Sequence, residues 1–209
     1  VIVSAELRWF WKDAVPEGLE PWFASSGLPP GGGRPRDDVY LLDAAQRELS
    51  LKHRGKMEGV EVKGLMRRLA PPISAGPLSG HVELWIKWYS IALSLERLPS
   101  IIVRKRRRMR EFDTGGARVE EVALGPDECP AAPGAKEPED GCTLELTEVS
   151  LAGREGTWWT LSLEAFGALD RVEGNLGRTL AHLQATQAPC FSPGVEKSYA
   201  CWLAERGTG

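Results

Sequence analysis

Charged and apolar side chains trade places every second residue in segment after segment of this sequence, the period at which neighbours fall on opposite faces of a β-strand. In residues 3–11, Glu6, Arg8 and Phe10 stand opposite Leu7, Trp9 and Trp11. In 48–54, Glu48, Ser50, Lys52 and Arg54 oppose Leu49, Leu51 and His53, and in 60–65, Glu61 and Lys63 oppose Val60 and Val62. Residues 81–89 set Glu83 and Lys87 against Val82, Leu84, Ile86 and Trp88. Residues 101–110 set Arg104, Arg106, Arg108 and Arg110 against Val103, Lys105, Arg107 and Met109. Residues 143–149 and 160–165 continue the habit with Glu145 and Glu164 on their polar faces, which brings the expected strands to seven.

A solvated antiparallel sheet shows the same alternation, so water alone accounts for any one polar face. The set taken together points elsewhere. The opposite faces carry Trp9, Trp11, Trp88 and many aliphatic side chains that need cover from helices or loops. If the outside is covered, the charged faces line something enclosed. The expected fold class is therefore α+β: a closed antiparallel β-barrel, a tunnel, with helices packed outside. Enclosed charges persist only when paired or when they meet a charged ligand. Lys52, Arg54, Lys63, Lys87, Arg104, Arg106 and Arg108 slightly outnumber Glu6, Glu48, Glu61, Glu83, Glu145 and Glu164, so much of this interior can pair with itself. Guanidinium groups at two-residue spacing suit phosphate oxygens, because each offers a fork of donors. Carboxylates in the same cavity suit a hard divalent cation such as Mg²⁺ or Mn²⁺.

With 209 residues and a net charge of −3, the chain has material for one sizeable core, and residues 1–209 read as a single domain. The basic run 104–108 taken alone fits a nucleic-acid patch or a localisation signal, but the near-neutral total and the lack of a recognition motif weigh against nucleic acid. No apolar run approaches the roughly 20 residues of a membrane helix, and residues 1–11 lack the layout of a signal peptide. Cys129, Cys142, Cys190 and Cys201 have neither the density of a disulfide scaffold nor CxxC spacing. The expectation is a cytoplasmic protein with reduced thiols and no membrane partner. Glycine and proline in 27–35 predict a loop, and the breaker-rich segment 125–141 predicts a long exposed connection. Short helices are expected over 65–69 and 91–98. An amphipathic helix is expected within 165–187 on Leu169, Val172, Leu176, Leu180 and Leu183, and a last short one around 199–205.

Over most of the chain the order of these segments resembles the CYTH, or triphosphate tunnel metalloenzyme, superfamily. The family's opening ExExK strand is matched by Ser4-Ala5-Glu6-Leu7-Arg8, with Ser4 in place of the first glutamate and Arg8 in place of the lysine. Asp38-Val39-Tyr40-Leu41-Leu42-Asp43 is similar to its (Y/L)LDT segment, and the basic strand with Lys52 and Arg54 follows it. Val60-Glu61-Val62-Lys63-Gly64 resembles its TLKG, which implies a phosphate-contacting role for Lys63. Arg104, Arg106 and Arg108 stand where members carry an arginine-bearing strand. Glu145-Leu146-Thr147 is similar to the family's ELD with Thr147 in place of the aspartate, Leu163-Glu164 to its closing VE pair, and Lys197-Ser198-Tyr199 to a KSY element near the C-terminus. The resemblance implies a closed tunnel in which Arg8, Lys52, Arg54, Lys63, Lys87, Arg104, Arg106 and Arg108 hold a polyphosphate. Glu6, Glu145 and Glu164 would hold Mg²⁺ or Mn²⁺ and support phosphoryl transfer. Glu148 falls on the other face by alternation and would need a bulge to join them.

Three functions follow. The leading one is a metal-dependent phosphohydrolase, or a related phosphoryl-transfer enzyme, acting on a triphosphate-bearing substrate in the tunnel. The second is a non-catalytic binding module for phosphorylated or other anionic small molecules, favoured by the loss of carboxylates at Ser4 and Thr147. The third is a protein-interaction scaffold, suggested by the eight tryptophans. In the first two the partner is an anionic small molecule, polyphosphate-bearing in the leading case.

Overall fold

The computed structural model describes residues 1–55 and 57–206. Two-residue alternation gives ten strands and three helices in the order β1 (Ile2–Lys12), α1 (Leu19–Phe23), β2 (Gly31–Leu41), β3 (Leu49–Arg54), β4 (Val60–Arg68), β5 (Glu83–Ser90), β6 (Ser100–Asp113), β7 (Glu120–Val122), β8 (Gly141–Leu151), β9 (Thr157–Phe166), α2 (Val172–Thr186), β10 (Val195–Glu196) and α3 (Tyr199–Ala204). Eight of the strands hydrogen-bond in the ring order β1-β5-β4-β3-β2-β6-β8-β9, and β9 pairs back onto β1. That last ladder is long, from Ser4 opposite Phe166 to Lys12 opposite Trp158, so the sheet closes without a free edge. The fold is a closed eight-stranded antiparallel barrel, with β7 and β10 pairing outside the ring on β6 and β1.

The two faces of these strands have separate fates. On the outside, Leu7 and Trp9 of β1, Leu84 of β5, Leu144 and Leu146 of β8, and Leu161 and Leu163 of β9 are buried in one apolar layer. Leu176, Leu180 and Leu183 of α2, together with Trp22 and Phe23 of α1, cover that layer. Leu49 and Leu51 pack with Val60, Val62 and Leu95 in a smaller outer cluster. On the inside, Phe10, Tyr40, Val103 and Val149 form an apolar plug with Trp202 and Leu203 of α3. Trp202 is fully buried and stacks on Phe10 with ring centroids 5.0 Å apart and planes 3° from parallel. The Ser198 hydroxyl accepts a hydrogen bond from the Cys201 amide at 3.1 Å and caps α3, which fixes its entry into the barrel. One helix is therefore a stopper within the barrel rather than outside cover.

Several sequence expectations are corrected. Residues 31–35 belong to β2 and not to a loop: Gly31 and Gly32 pair with Met109 and Arg108, and the register shifts before Pro35 pairs with Arg106. Gly32 and Gly33 supply positive φ of 87° and 96° at this bulge, a conformation other residues adopt only with strain. Residues 65–68 continue β4 past a second bulge, and 91–98 form turns, so neither is a helix. Both stretches are too short to nucleate a helix without tertiary cover, and the β5 ladder claims the first. α1 was not anticipated, because five residues carry no readable helical period. Among the described residues no helix is long and apolar enough to cross a membrane. All four cysteines are free.

Because Trp202 fills the apolar part of the barrel interior, W202A should lower unfolding free energy by about 3–5 kcal/mol in urea titrations. An equivalent truncation of exposed Trp88 should fall within about 1 kcal/mol of the parent.

Candidate functional site

The inner faces that α3 leaves uncovered enclose a cavity of about 1040 Å³, its open mouth included, lined by ten lysine or arginine side chains and six glutamates. Strand alternation alone puts Glu6 and Arg8 of β1, Lys52 and Arg54 of β3, Glu61 and Lys63 of β4, Lys87 of β5, Glu145 of β8 and Glu164 of β9 on this wall. These include eight of the residues expected from the sequence. Arg36 and Tyr40 of β2, Trp85 of β5, Lys105 and Arg107 of β6, and Tyr199 of α3 join them.

Arg104, Arg106 and Arg108 do not. They lie on the outer face of β6, where Arg104 pairs with Asp37 at 2.9 Å, Arg106 with Glu148 at 3.4 Å and Arg108 with Glu20 at 2.5 Å. The inward basic residues of β6 are Lys105 and Arg107. Val103 sets this phase, because it packs against the α3 stopper and carries the residues two and four places further inward with it. The expectation that apolar residues mark the outside fails on β6, whose outer face at Arg104 and Arg106 meets solvent. Lys105 and Arg107 were missed for the same reason, and Arg36 because the strand that carries it was not expected. The alternation of Arg36, Asp38 and Tyr40 against Asp37, Val39 and Leu41 was readable once 31–41 was taken as a strand.

The ionic groups fall into three linked sets. In the first, Glu6 and Glu164 are direct cross-strand partners on β1 and β9, which places like charges side by side. Lys63 forms an ion pair with Glu6 and its Nζ lies 3.9 Å from Glu164, while Lys87 donates to Glu164 at 3.2 Å. Burial and the neighbouring Glu164 push the Glu6 carboxyl up, against Lys63. Burial also acts upward on Glu164, but Lys63 and Lys87 outweigh it and hold that carboxyl far below the usual range. Lys87 in turn is raised by Glu164 against burial.

In the second set, Arg107 donates to Glu145 at 3.0 Å and is gripped on its other edge by Glu128, from the connection after β7. Arg8 lies 3.7 Å from Glu145 and donates to the Thr160 hydroxyl at 3.2 Å. Burial acts upward on Glu145, yet Arg107 and Arg8 bring it down to about 2.

In the third, fully buried Asp38 pairs with Arg36 at 3.0 Å and Lys105 at 3.3 Å, and Lys52 pairs with Glu61 at 2.9 Å. Lys105 donates to the Tyr40 hydroxyl at 2.6 Å, and burial followed by the charge of Lys52 depresses its pKa strongly. Arg54 lines the cavity with no ion pair among the described residues.

The carboxylates expected to hold Mg²⁺ or Mn²⁺ meet basic groups in this structure. Among the described residues no three side chains of suitable type converge. Glu6 and Glu164 share ammonium groups, and Glu145 lies between two guanidinium groups. The hydroxyls of Ser4 and Thr147 donate to glutamates of the wall, Ser4 to Glu6 at 2.5 Å and Thr147 to Glu145 at 2.9 Å. Both oxygens of Glu145 and of Glu164, and one oxygen of Glu6, meet basic or hydroxyl donors. Glu148 sits on the outer face with Arg106 and takes no part.

A closed antiparallel barrel with an ionic interior is the architecture implied by the resemblance to the triphosphate tunnel metalloenzymes. Among solved structures the chain is similar to the Pct1 RNA triphosphatase of S. pombe, with 11% identity over 90% of this chain and 85% of that one and a TM-score of 0.46. It is similar also to the same enzyme in complex with the Spt5 CTD, with 11% identity over 90% and 86% of the two chains and a TM-score of 0.45. No protein-family model matches the chain, and no curated protein matches it. The closed ring rests on its own ladders, independently of that likeness.

Glu145 supplies a pH-dependence with a defined sign. Its folded pKa of about 2 lies below the unfolded value of 4.5, so its stabilising contribution is complete above the unfolded value and is lost as pH falls toward 2. In a stability profile from pH 7 to pH 2, E145Q should be less stable at neutral pH by on the order of 3 kcal/mol and should show a flatter acid limb than the parent.

Proposed function

We propose that the barrel interior binds a small polyanion, with phosphate-bearing molecules the best chemical match. The observation that carries this reading is the excess of cations in an enclosed wall: ten basic side chains against six glutamates. Each lining carboxylate of the three sets already has a basic partner, and Arg54 is left without an ion pair among the described residues. Charge of one sign in a cavity with low-dielectric walls raises local counter-ion concentration. Guanidinium and ammonium groups together match a chain of phosphate oxygens in geometry and in charge.

Metal-dependent hydrolysis of a triphosphate by Glu6, Glu145 and Glu164 with Mg²⁺ or Mn²⁺ would require those carboxylates to exchange their present partners for the metal. The ion pairs favour binding over turnover. The outer layer under α1 and α2 takes up seven of the sixteen aromatic side chains and the α3 plug five more, which accounts for most of the aromatic content without a protein partner.

The test is thermal unfolding with tripolyphosphate, since a ligand that binds only the folded state stabilises it by about 2.7 kcal/mol at a hundredfold excess over Kd. The parent should shift upward. R54A should lose most of the shift with little change in its own melting temperature, whereas R106A on the outer face should keep it. Phosphate release, measured in parallel with and without Mg²⁺ and Mn²⁺, should stay at background. Metal-dependent release that E164Q abolishes would establish the hydrolase instead.

A further inference from the structure

We propose that Lys63 is the resident cation of the Glu6 and Glu164 pair, so that this cavity takes its anion without a divalent metal. The inference deepens the anion-binding reading and rests on it. Glu6 and Glu164 face each other across the β1–β9 ladder that closes the barrel. Two carboxylates at direct cross-strand positions repel, and inside a barrel that repulsion is poorly screened. Something positive must stand between them. A divalent ion is one solution; this chain supplies another from its own sequence.

Lys63 belongs to β4, which is separated from β1 by β5 in the ring, and its side chain crosses the interior to reach both carboxylates. Both oxygens of Glu164 and one oxygen of Glu6 meet donors, the Glu6 oxygen from two sides. The Ser4 hydroxyl donates to Glu6 at 2.5 Å, and Lys87 donates to Glu164 at 3.2 Å. A divalent ion entering here would have to expel the Lys63 ammonium and tolerate that of Lys87 beside it. An arriving polyanion meets no such obstacle. Its oxygens can share Lys63 and Lys87 with the carboxylates, since each ammonium has three donors and a rotatable stem.

The experiment has two arms. In the first, tripolyphosphate binding is measured by calorimetry in EDTA and in MnCl₂. Full affinity in EDTA is expected, and binding that appears only with Mn²⁺ would overturn the proposal. In the second, Mn²⁺ is titrated alone against the ligand-free protein and followed by water-proton relaxation. The parent should give no enhancement, K63M should gain one, and K63M/E164Q should lose it again. A parent that binds Mn²⁺ through Glu6 and Glu164 would overturn the assignment even if K63M does not fold. Failure of tripolyphosphate to bind under either condition would remove the anion-binding reading, whereas the Mn²⁺ titration would still report on Lys63.

Discussion

Closing β9 onto β1 removes the last edge of the sheet, and the same ladder sets Glu164 beside Glu6 in the interior. Much of the rest of the molecule answers that juxtaposition. At an effective dielectric near 20, two unit charges 4 Å apart interact by about 4 kcal/mol, and a buried carboxylate carries a desolvation penalty of several kcal/mol besides. A closed barrel cannot relieve either by fraying an edge into water. It needs cations, and β4 and β5 supply Lys63 and Lys87 at directly paired positions of their own ladder. The outcome is unequal. Glu164, with two ammonium groups, is held far below the usual carboxylate range, whereas Glu6 is lifted above it.

The same logic applied around the wall produces the second and third ionic sets, and it explains why the wall is basic overall. Compensation of buried acids requires at least one cation each. Here Glu164 has two, Glu145 has two and Asp38 has two. Each carboxylate of the three sets has a basic partner without a ligand, and the wall yet retains donors that a more highly charged anion could claim. The hydroxyls of Ser4 and Thr147 belong to this scheme. Each donates to a glutamate two residues along its own strand and so satisfies an acid of the wall without adding charge.

How much of this was legible in the sequence depends on which force sets the phase of each strand. In β1, β3, β4, β5, β8 and β9 the apolar face is the covered outside, and simple alternation put Glu6, Arg8, Lys52, Arg54, Lys63, Lys87, Glu145 and Glu164 inside correctly. In β6 it could not, because Ile101 and Val103 are apolar and inward, facing a helix that arrives about a hundred residues later in the chain. A strand with basic residues on both faces offers no local clue to its phase, so Arg104, Arg106 and Arg108 were exchanged for Lys105 and Arg107. β2 was hidden by its own glycines. They read as loop, and they serve as the bulge that lets the strand follow β6. The seven expected strands could not close a ring; the eighth was this one.

The α3 stopper also shapes the charged part of the interior. By filling part of the interior with Trp202, Phe10, Val103 and Val149, it confines the charges to the remainder and walls them with apolar groups on one side. A lower local dielectric strengthens attraction for an anion and raises the cost of any unpaired charge in the same proportion. Lys105 stands at the boundary between the two regions. Its ammonium lies 4.3 Å from the Tyr199 ring centroid and 4.7 Å from that of Tyr40, within reach of Asp38. Burial, and then the charge of Lys52, depress its pKa strongly, against Asp38. An anion bound nearby would restore that charge. The stopper thus does more than complete the core: it places an amine whose charged form an anion in the cavity would favour.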